Sequence, residues 1–157
     1  MNGHEEPGTL PTDAVRVRTI TEADLTRVVA IDKKSMGRPR EEYFRTRLKS
    51  ALSDSKMVTS LVAEVDGLVV GFVISRLYYG EFGRTEPVAV LDSIGVDPEF
   101  RKQHVGAALL RQLTMNLKAL NVERIETDVE WNHFELLSFL ARSGFRPAPR
   151  VCLSLAL

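Results

Sequence analysis

The order of apolar and polar positions along the chain predicts strands alternating with helices. Apolar residues three and four positions apart, the spacing of one helix face, occur in four segments: residues 25–32, 40–52, 105–120 and 134–143. Alternating or continuous apolar runs with strand composition occupy six others: residues 15–20, 57–65, 68–79, 87–96, 122–129 and 150–157. The predicted order is strand, helix, helix, hairpin, strand, helix, strand, helix, strand.

Turn-forming residues lie between several of these segments. Asp66-Gly67 between two apolar runs predicts a two-residue hairpin turn. Asn121 and Gly144 follow two helical segments and predict left-handed ends for both. Gly71 within a strand predicts a bulge or a point of close approach.

This order mixes antiparallel pairs with two crossover units and predicts an α/β (mixed α+β) domain. We expect a central mixed sheet of about six strands with helices on both faces. The chain has 157 residues, enough for one domain with a core. Residues 1–14 are rich in Gly, Pro, Glu and Thr without a period and predict a disordered tail, so the domain spans residues 15–157.

Composition narrows the function classes. Lys and Arg together number 21, as do Asp and Glu, and a net charge of zero argues against a nucleic-acid binder. No apolar run reaches the length of about 20 residues that spans a membrane, and the N-terminus lacks a secretory layout. Cys152 is the only cysteine, which fits a reducing cytoplasm, and we expect it in the core. His4 and His133 show no metal-ligand spacing, so no metal is expected.

The strongest candidate for chemistry is the stretch from Ile94 to Leu113. Pro98 ends a strand, a basic turn follows at residues 101–104, and a helix begins near Val105. The first N–H groups of a helix have no partner inside it, and the helix dipole adds positive potential at that end. This stretch therefore predicts an anion site that suits a pyrophosphate.

Many folds bind anions at a helix N-terminus, but the order of residues in this stretch points to one family. Val96-Asp97-Pro98, then Arg101, then Val105-Gly106-Ala107 and Leu109-Leu110, resembles the acetyl-CoA motif of the GCN5-related N-acetyltransferase (GNAT) family. The family's turn reads Arg/Gln-x-x-Gly-x-Gly/Ala, and His104 stands here at the middle glycine. The resemblance extends over residues 15–157.

The resemblance implies a function, a cofactor and a partner. It implies an N-acetyltransferase that moves an acetyl group from acetyl-CoA, as acyl donor, to a primary amine of a small molecule, peptide or protein by direct attack. It also implies a homodimer, since members of the family commonly pair. The alternative is a CoA-binding regulatory or interaction module with weak or no catalysis.

The resemblance also implies which residues hold acetyl-CoA. The turn and the start of the helix would face the pyrophosphate, with amides and two cations from Arg101, Lys102, Gln103, His104, Val105, Gly106 and Ala107. Three strand residues would pair with the acetyl–pantetheine arm: Ile94, Gly95 and Val96. Asn132 falls where the family often has an asparagine that contacts this arm.

Asp92 is the predicted general base. It lies in an otherwise apolar strand, where a carboxylate needs a partner or a raised pKa. The alternative is a structural carboxylate bonded across the sheet. The family often has a tyrosine as general acid where this chain has Leu140, so Tyr78 and Tyr79 are candidates by location, and Tyr79 is the predicted catalytic residue.

Overall fold

The structure is a computed structural model that describes residues 14–37, 40–53, 59–79, 83 and 85–157. Its strands are β1 (Arg16–Thr19), β2 (Leu61–Val65), β3 (Leu68–Tyr78), β4 (Val88–Val96) and β5 (Arg124–Glu126). Its α-helices are α1 (Leu25–Met36), α2 (Glu41–Ser53), α3 (Val105–Ala119) and α4 (Phe134–Arg142). Short 3₁₀ turns at Glu22–Asp24 and Pro98–Phe100 precede α1 and α3.

The described strands form one mixed sheet in the order β1-β2-β3-β4-β5. The first four strands are antiparallel neighbours, whereas β5 runs parallel to β4. Asp66 and Gly67 have φ angles of 50° and 78° and close the β2–β3 hairpin, as predicted. The α/β class, with a mixed sheet and helices, is confirmed.

Helices cover both faces of the sheet. Along β2, Val62 packs with α1 and α2 in a cluster around Phe44 and Phe72. Its neighbours Leu61 and Ala63 point to the other face and pack against α3. The alternation read from the sequence therefore decides which helix each strand residue meets.

Gly71 marks a close approach, as predicted. A Cβ atom at Gly71 would lie 2.8 Å from Cγ1 of Val105, so the first turn of α3 packs directly on β3. The pairing of β2 with β3 shifts register beside it, because Ala63 faces Gly71 and the next residue, Glu64, faces Val69. This contact fixes the N-terminus of α3 beside the end of β4.

The last predicted strand is not formed within the described chain. Residues 150–157 have no strand pairing and are exposed; the relative exposures of Val151, Leu153, Leu155 and Leu157 are 83%, 88%, 85% and 116%. Cys152 is also exposed, so its predicted place in the core is wrong. Alternation shows that a segment can pair as a strand, but the chain path decides whether an edge is within reach.

Two other predictions concern the length of β5 and the N-terminal tail. β5 has three residues, whereas the sequence predicted residues 122–129. The predicted N-terminal tail falls, apart from Ala14, outside the described residues. Among the helices of the described chain, none combines the length and apolarity needed to cross a membrane.

Candidate functional site

A cleft opens between β4 and β5. Their parallel pairing ends at Val90 and Glu126, while β4 continues for six more residues to Val96. Thr127 Oγ1 donates a hydrogen bond of 2.8 Å to the carbonyl oxygen of Leu91 at the closed end. Beyond this point no described strand pairs with the outer edge of β4. Backbone amides and carbonyls on that edge are available to an extended ligand.

A β-bulge at Asp92 accompanies the opening of this cleft. On β3, Ile74 faces Ser93 and the next residue, Ser75, faces Leu91, so Asp92 is the extra residue on β4. A bulge bends its strand and increases the local twist. The bulge lies two residues beyond Val90, where the pairing of β4 with β5 ends.

The three strand residues predicted to meet the acetyl–pantetheine arm lie on the open part of β4. Ile94, Gly95 and Val96 are half-buried and pair on their inner edge with β3. Gly95 has a packing role of its own, because a Cβ atom there would lie 2.7 Å from Cε1 of Phe72. The aromatic core beneath the strand therefore also demands a glycine at this position.

The turn after β4 contains two left-handed residues. Lys102 has a φ of 60° and His104 a φ of 63°. His104 takes a backbone conformation that glycine adopts freely, at a cost of about 1–2 kcal/mol for an ordinary L-residue. Left-handed residues in such turns direct successive N–H groups to one side, where they form anion-binding concavities.

The N-terminus of α3 follows directly. The carbonyl of His104 accepts the amide of Ala108 at 2.9 Å, so the helical hydrogen bonds begin here. The amides of Val105, Gly106 and Ala107 belong to the first turn, which has no intrahelical acceptors. Gly106 also lets α4 approach, since a Cβ atom there would lie 3.0 Å from Cζ of Phe139.

The two cations of the turn differ in their surroundings. Arg101 Nη1 donates to Glu135 Oε1 at 3.1 Å and Nη2 to Ser35 Oγ at 3.4 Å, so Arg101 links α4 to α1. Both partners of the Arg101–Glu135 pair are substantially exposed, and such pairs contribute at most about 1 kcal/mol. The Lys102 side chain is exposed beside the helix N-terminus. Positive charge therefore surrounds the predicted pyrophosphate position.

Asp97, directly before the turn, is a buried carboxylate whose role was not predicted from the sequence. Asp97 is fully buried and accepts from Arg27 Nη2 at 2.7 Å, from Lys34 Nζ at 3.0 Å and from the Glu99 amide at 3.2 Å. Burial raises the pKa of Asp97, but hydrogen bonds from Lys34, the Glu99 amide and Arg27 outweigh it and hold the pKa below its usual value. The local signal was an Asp before Pro98, typical of a cap.

Asp92 is bonded across the sheet. Both of its carboxylate oxygens accept from Arg76 on β3, one from Nε and the other from Nη2 at 2.7 Å. The hydrogen bond to Asp92 raises the pKa of Arg76, and the guanidinium also lies over the ring of Tyr78, 4.8 Å from its centroid. This geometry favours the structural alternative for Asp92.

The structure does not bring Tyr79 together with Ile94. Ile94 pairs with Val73 on β3, and Tyr79, directly after the end of β3, is six residues beyond Val73, about 20 Å away at the usual rise per residue. Leu140, where the family often has a tyrosine, is only 3% exposed. Tyr79 is therefore distant from Ile94, whereas Tyr78 lies against Arg76, the partner of Asp92.

The turn before α4 contains Asn132, the remaining residue predicted to contact the arm. Asn132 is exposed there, between Trp131 and the first helical residues. Trp131 is 81% exposed. His133 caps α4 without a side-chain hydrogen bond, and its amide donates to the Glu130 carbonyl at 2.9 Å. Nowhere in the described part of the chain do three His, Cys, Asp or Glu side chains gather in a group that could hold a metal ion.

Comparison with solved structures finds the same fold in acetyltransferases. The aminoglycoside N-acetyltransferase AAC(6')-Iy in complex with CoA is 19% identical, with 90% of this chain and 94% of that chain covered and a TM-score of 0.73. Ribosomal-protein-alanine N-acetyltransferase from Brucella melitensis biovar Abortus 2308 is 18% identical over 92% and 99%, with a TM-score of 0.72. A possible acetyltransferase from Clostridium difficile 630 is 15% identical over 92% and 98%, with a TM-score of 0.74.

Sequence comparison identifies the family of the chain. A search of curated proteins gives no significant match. The profile of the acetyltransferase (GNAT) family, however, matches residues 25–145, from the start of α1 to the residue after the Gly144 turn. This match covers more than half of the chain and includes the open β4 edge, the left-handed turn and α3. The chain therefore belongs to the acetyltransferase (GNAT) family.

Proposed function

We propose that this protein transfers an acetyl group from acetyl-CoA to a primary amine. One observation carries the proposal: the open edge of β4 leads directly into a left-handed turn and the N-terminus of α3. An extended amide-bearing arm fits the open edge, and a pyrophosphate fits the turn. Pantetheine diphosphate has these two parts in this order.

The residues present fit acetyl-CoA. Amides of Gln103, His104 and the first turn of α3 would hold the pyrophosphate, and the exposed Lys102 would add charge. Charge-assisted hydrogen bonds of this kind contribute about 1.5–3 kcal/mol each. Ile94 and Val96 would pair with the arm, and Asn132 would flank it from the α4 side. Arg101 would help if it turned from Glu135 toward the phosphates.

The chemistry is a direct displacement. The neutral amine attacks the thioester carbonyl, so that a C–N bond forms, the C–S bond breaks and CoA leaves as a thiolate. The backbone amide of Ile94 or Val96 would stabilise the tetrahedral oxyanion. A thiol has a pKa near about 8.5, so the thiolate leaves at modest cost without a general acid. This accommodates Leu140 at the usual tyrosine position and weakens the case for Tyr79.

A proton must also leave the amine. We keep Asp92 as the proposed base, acting directly or through water, because it lies two residues from Ile94 at the bulge. Its bond to Arg76 is a constraint, since a carboxylate that holds a guanidinium is a weaker proton acceptor. Water is the other acceptor for this proton.

The acceptor is proposed as a class only. The structurally similar proteins include an aminoglycoside N-acetyltransferase and a ribosomal-protein-alanine N-acetyltransferase, whose acceptors are both amines. They share the fold of this chain at 18–19% identity, which supports an amine without specifying one. We also keep a homodimer and a cytoplasmic location as proposals.

The second candidate is a CoA-binding module without catalysis. The buried Leu140 and the ion-paired Asp92 favour it, because neither supplies a proton donor or a free base. This candidate predicts binding of acetyl-CoA without transfer.

Calorimetric titration with acetyl-CoA and CoA tests both candidates. Micromolar binding is expected, and no binding at millimolar ligand would overturn both. Transfer should then be followed by chromatography with an aminoglycoside, a polyamine and peptides with free N-termini. Chromatography is preferable to a thiol reagent, because the exposed Cys152 would react with the reagent. Binding without acetylation of any amine would favour the second candidate.

A further inference from the structure

Arg47 on α2 differs from the other half-buried arginines of the described chain. That group has five members: Arg18, Arg27, Arg40, Arg47 and Arg76. The other four each form an ion pair with a carboxylate. Arg47 pairs with no carboxylate among the described residues, and its guanidinium lies over the ring of Tyr43, 5.5 Å from the centroid. A partly desolvated guanidinium without a counter-ion is a favourable partner for an anionic group of a ligand.

Tyr43 lies between two arginines of the same helix face. Arg40 is one turn before it and Arg47 one turn after it, and the two guanidinium carbons are 5.1 Å and 5.5 Å from the ring centroid. Arg40 is neutralised by Asp32 on α1, to which its Nε donates at 2.9 Å and its Nη2 donates as well. The uncompensated positive charge beside this ring therefore belongs to Arg47.

A series of ring contacts connects Tyr43 to the open part of β4. Tyr43 packs edge-on against Phe44 with centroids 5.1 Å apart, and Phe44 packs in the same way against Phe72 of β3, 5.4 Å away. Phe72 pairs with Gly95 and lies so close that a Cβ atom on the glycine would be 2.7 Å from the ring. Arg47 therefore flanks the face of the sheet on which β4 leaves β5.

The proposed base is directed to the same face. Phe72, Ile74 and Arg76 occupy alternate positions of β3, and the first two pack against α1 and α2. The carboxylate of Asp92 bonds to Arg76, so it lies on this side of the sheet and the two charges neutralise each other. An acceptor amine that approaches Asp92 from this side meets Arg47 as the guanidinium that still lacks a carboxylate in the described part of the chain.

We propose that Arg47 selects acceptors that carry a carboxylate a short distance from the amine, as acidic amino acids and acidic peptides do. This inference rests on the proposed acetyl transfer. The carboxylate pairs with Arg47 while the amine lies near Asp92 and the thioester. A guanidinium presents two parallel N–H donors that match a carboxylate, and the ring of Tyr43 keeps it in position. A polyamine carries only positive charges and is repelled at this position.

Matched acceptors test the selection. We compare an amidated tetrapeptide with Glu at its second position to the same peptide with Gln there, and free glutamate to free glutamine. In at least one pair kcat/KM should favour the acid about tenfold, and the pair that shows it identifies peptides or free amino acids as the source. Raising the salt from about 0.05 M to about 0.5 M should reduce this preference. Equal kcat/KM for acid and amide in both pairs would overturn the proposal.

Variants assign the preference to one side chain. Arg47→Gln should bring the ratio of acid to amide near one, and Arg47→Glu should favour the peptide with Lys at the second position. Arg45→Gln is the matched control and should keep the wild-type ratio, because Arg45 is exposed and pairs with Glu41 on its own helix. A preference that survives Arg47→Gln would overturn the assignment.

Calorimetry with the two peptides in the presence of CoA separates this inference from the proposed function, because binding needs no catalysis. Tighter binding of the Glu peptide that is lost in Arg47→Gln, without acetylation of either peptide, would support the role of Arg47 and contradict the proposed transfer. Acetylation of both peptides with equal kcat/KM and equal affinity would support the transfer and overturn the role of Arg47.

Discussion

Arg27 donates a hydrogen bond from Nη2 to Oδ2 of Asp97 at 2.7 Å, although the two residues are 70 positions apart. Arg27 Nε also donates to the Val69 carbonyl at 2.7 Å, so one side chain connects α1, β3 and the end of β4. Lys34, two turns further along α1, reaches the same carboxylate. α1 is thereby fixed to the residue from which the turn toward α3 departs.

Replacing Asp97 with Asn should destabilise the fold. Breaking a fully buried ion pair costs about 3–5 kcal/mol, but Arg27 and Lys34 remain partly exposed and can recruit water, so we expect about 2 kcal/mol. Urea unfolding measures the change. Glu99→Gln is the matched control, because Glu99 bonds the same lysine from an exposed position and should cost less than about 0.5 kcal/mol. Equal effects of the two substitutions would contradict this account.

The same carboxylate gives the stability a defined dependence on pH. The pKa of Asp97 is lowered in the folded protein, so as the pH falls the unfolded chain takes up this proton first. Its contribution is complete above the ordinary pKa of about 3.9 and is lost as the pH falls through the folded-state value. Between about pH 6 and pH 3 the wild type should lose more stability than Asp97→Asn. Parallel losses would exclude Asp97 as the source.

Ala107→Glu should weaken acetyl-CoA binding without harming the fold. The Ala107 side chain is exposed in the first turn of α3, where a negative charge stabilises the helix but repels a pyrophosphate. We expect binding to weaken at least about tenfold, with a melting temperature no lower than wild type. Ala107→Gln, of the same shape without the charge, should bind nearly as wild type. If Glu and Gln weaken binding equally, bulk rather than charge is responsible.

Substitutions of His104 should separate backbone strain from ligand contact. His104→Gly removes the left-handed strain, about 1 kcal/mol, but adds a similar entropy to the unfolded chain, so the stability should change little. His104→Val places a β-branched residue in that conformation and should cost about 2 kcal/mol. Thermal unfolding and calorimetry with CoA measure both effects. Unchanged CoA affinity in His104→Gly would show that the imidazole does not touch a phosphate.

Asp92 and Arg76 can be tested as a pair. If Asp92 is the base, Asp92→Asn should lower kcat about 100-fold with KM for acetyl-CoA unchanged. Arg76→Gln keeps the carboxylate and should retain most of the turnover. The pH profile of Arg76→Gln should also shift, because the carboxylate loses its cation. Equal losses of turnover and of stability in both variants would make the pair structural.

Much of the fold follows from local pattern. The Asp66-Gly67 turn, the buried stripe of α3 and the left-handed Asn121 each depend on residues within a few positions of one another. The turn of the candidate site is also formed by neighbouring residues, because Pro98, the basic turn at residues 101–104 and α3 follow one another directly along the chain. Sequence alone was therefore sufficient for the sheet class, and the anion site, still a prediction, depends on the same kind of contiguous pattern.

The features that escaped prediction depend on distant parts of the chain. The bulge at Asp92 appears only when β4 is registered against β3, and the partners of Asp97 come from α1. The final segment alternates as a strand does, yet it pairs with no strand of the described sheet. Periodicity reports the face that a residue presents, but not whether a partner is within reach.

Trp131, directly before Asn132 in the turn that precedes α4, is an intrinsic fluorescent probe of that turn. It is the single tryptophan of the chain, and 81% of it faces water in the folded state. Unfolding therefore changes the surroundings of its indole very little, and its emission is a poor signal of denaturation. A molecule that lies along β4 beside Asn132 would desolvate or quench the same ring. If acetyl-CoA binds beside Asn132 as proposed, the fluorescence of this protein will report ligand binding rather than integrity of the fold.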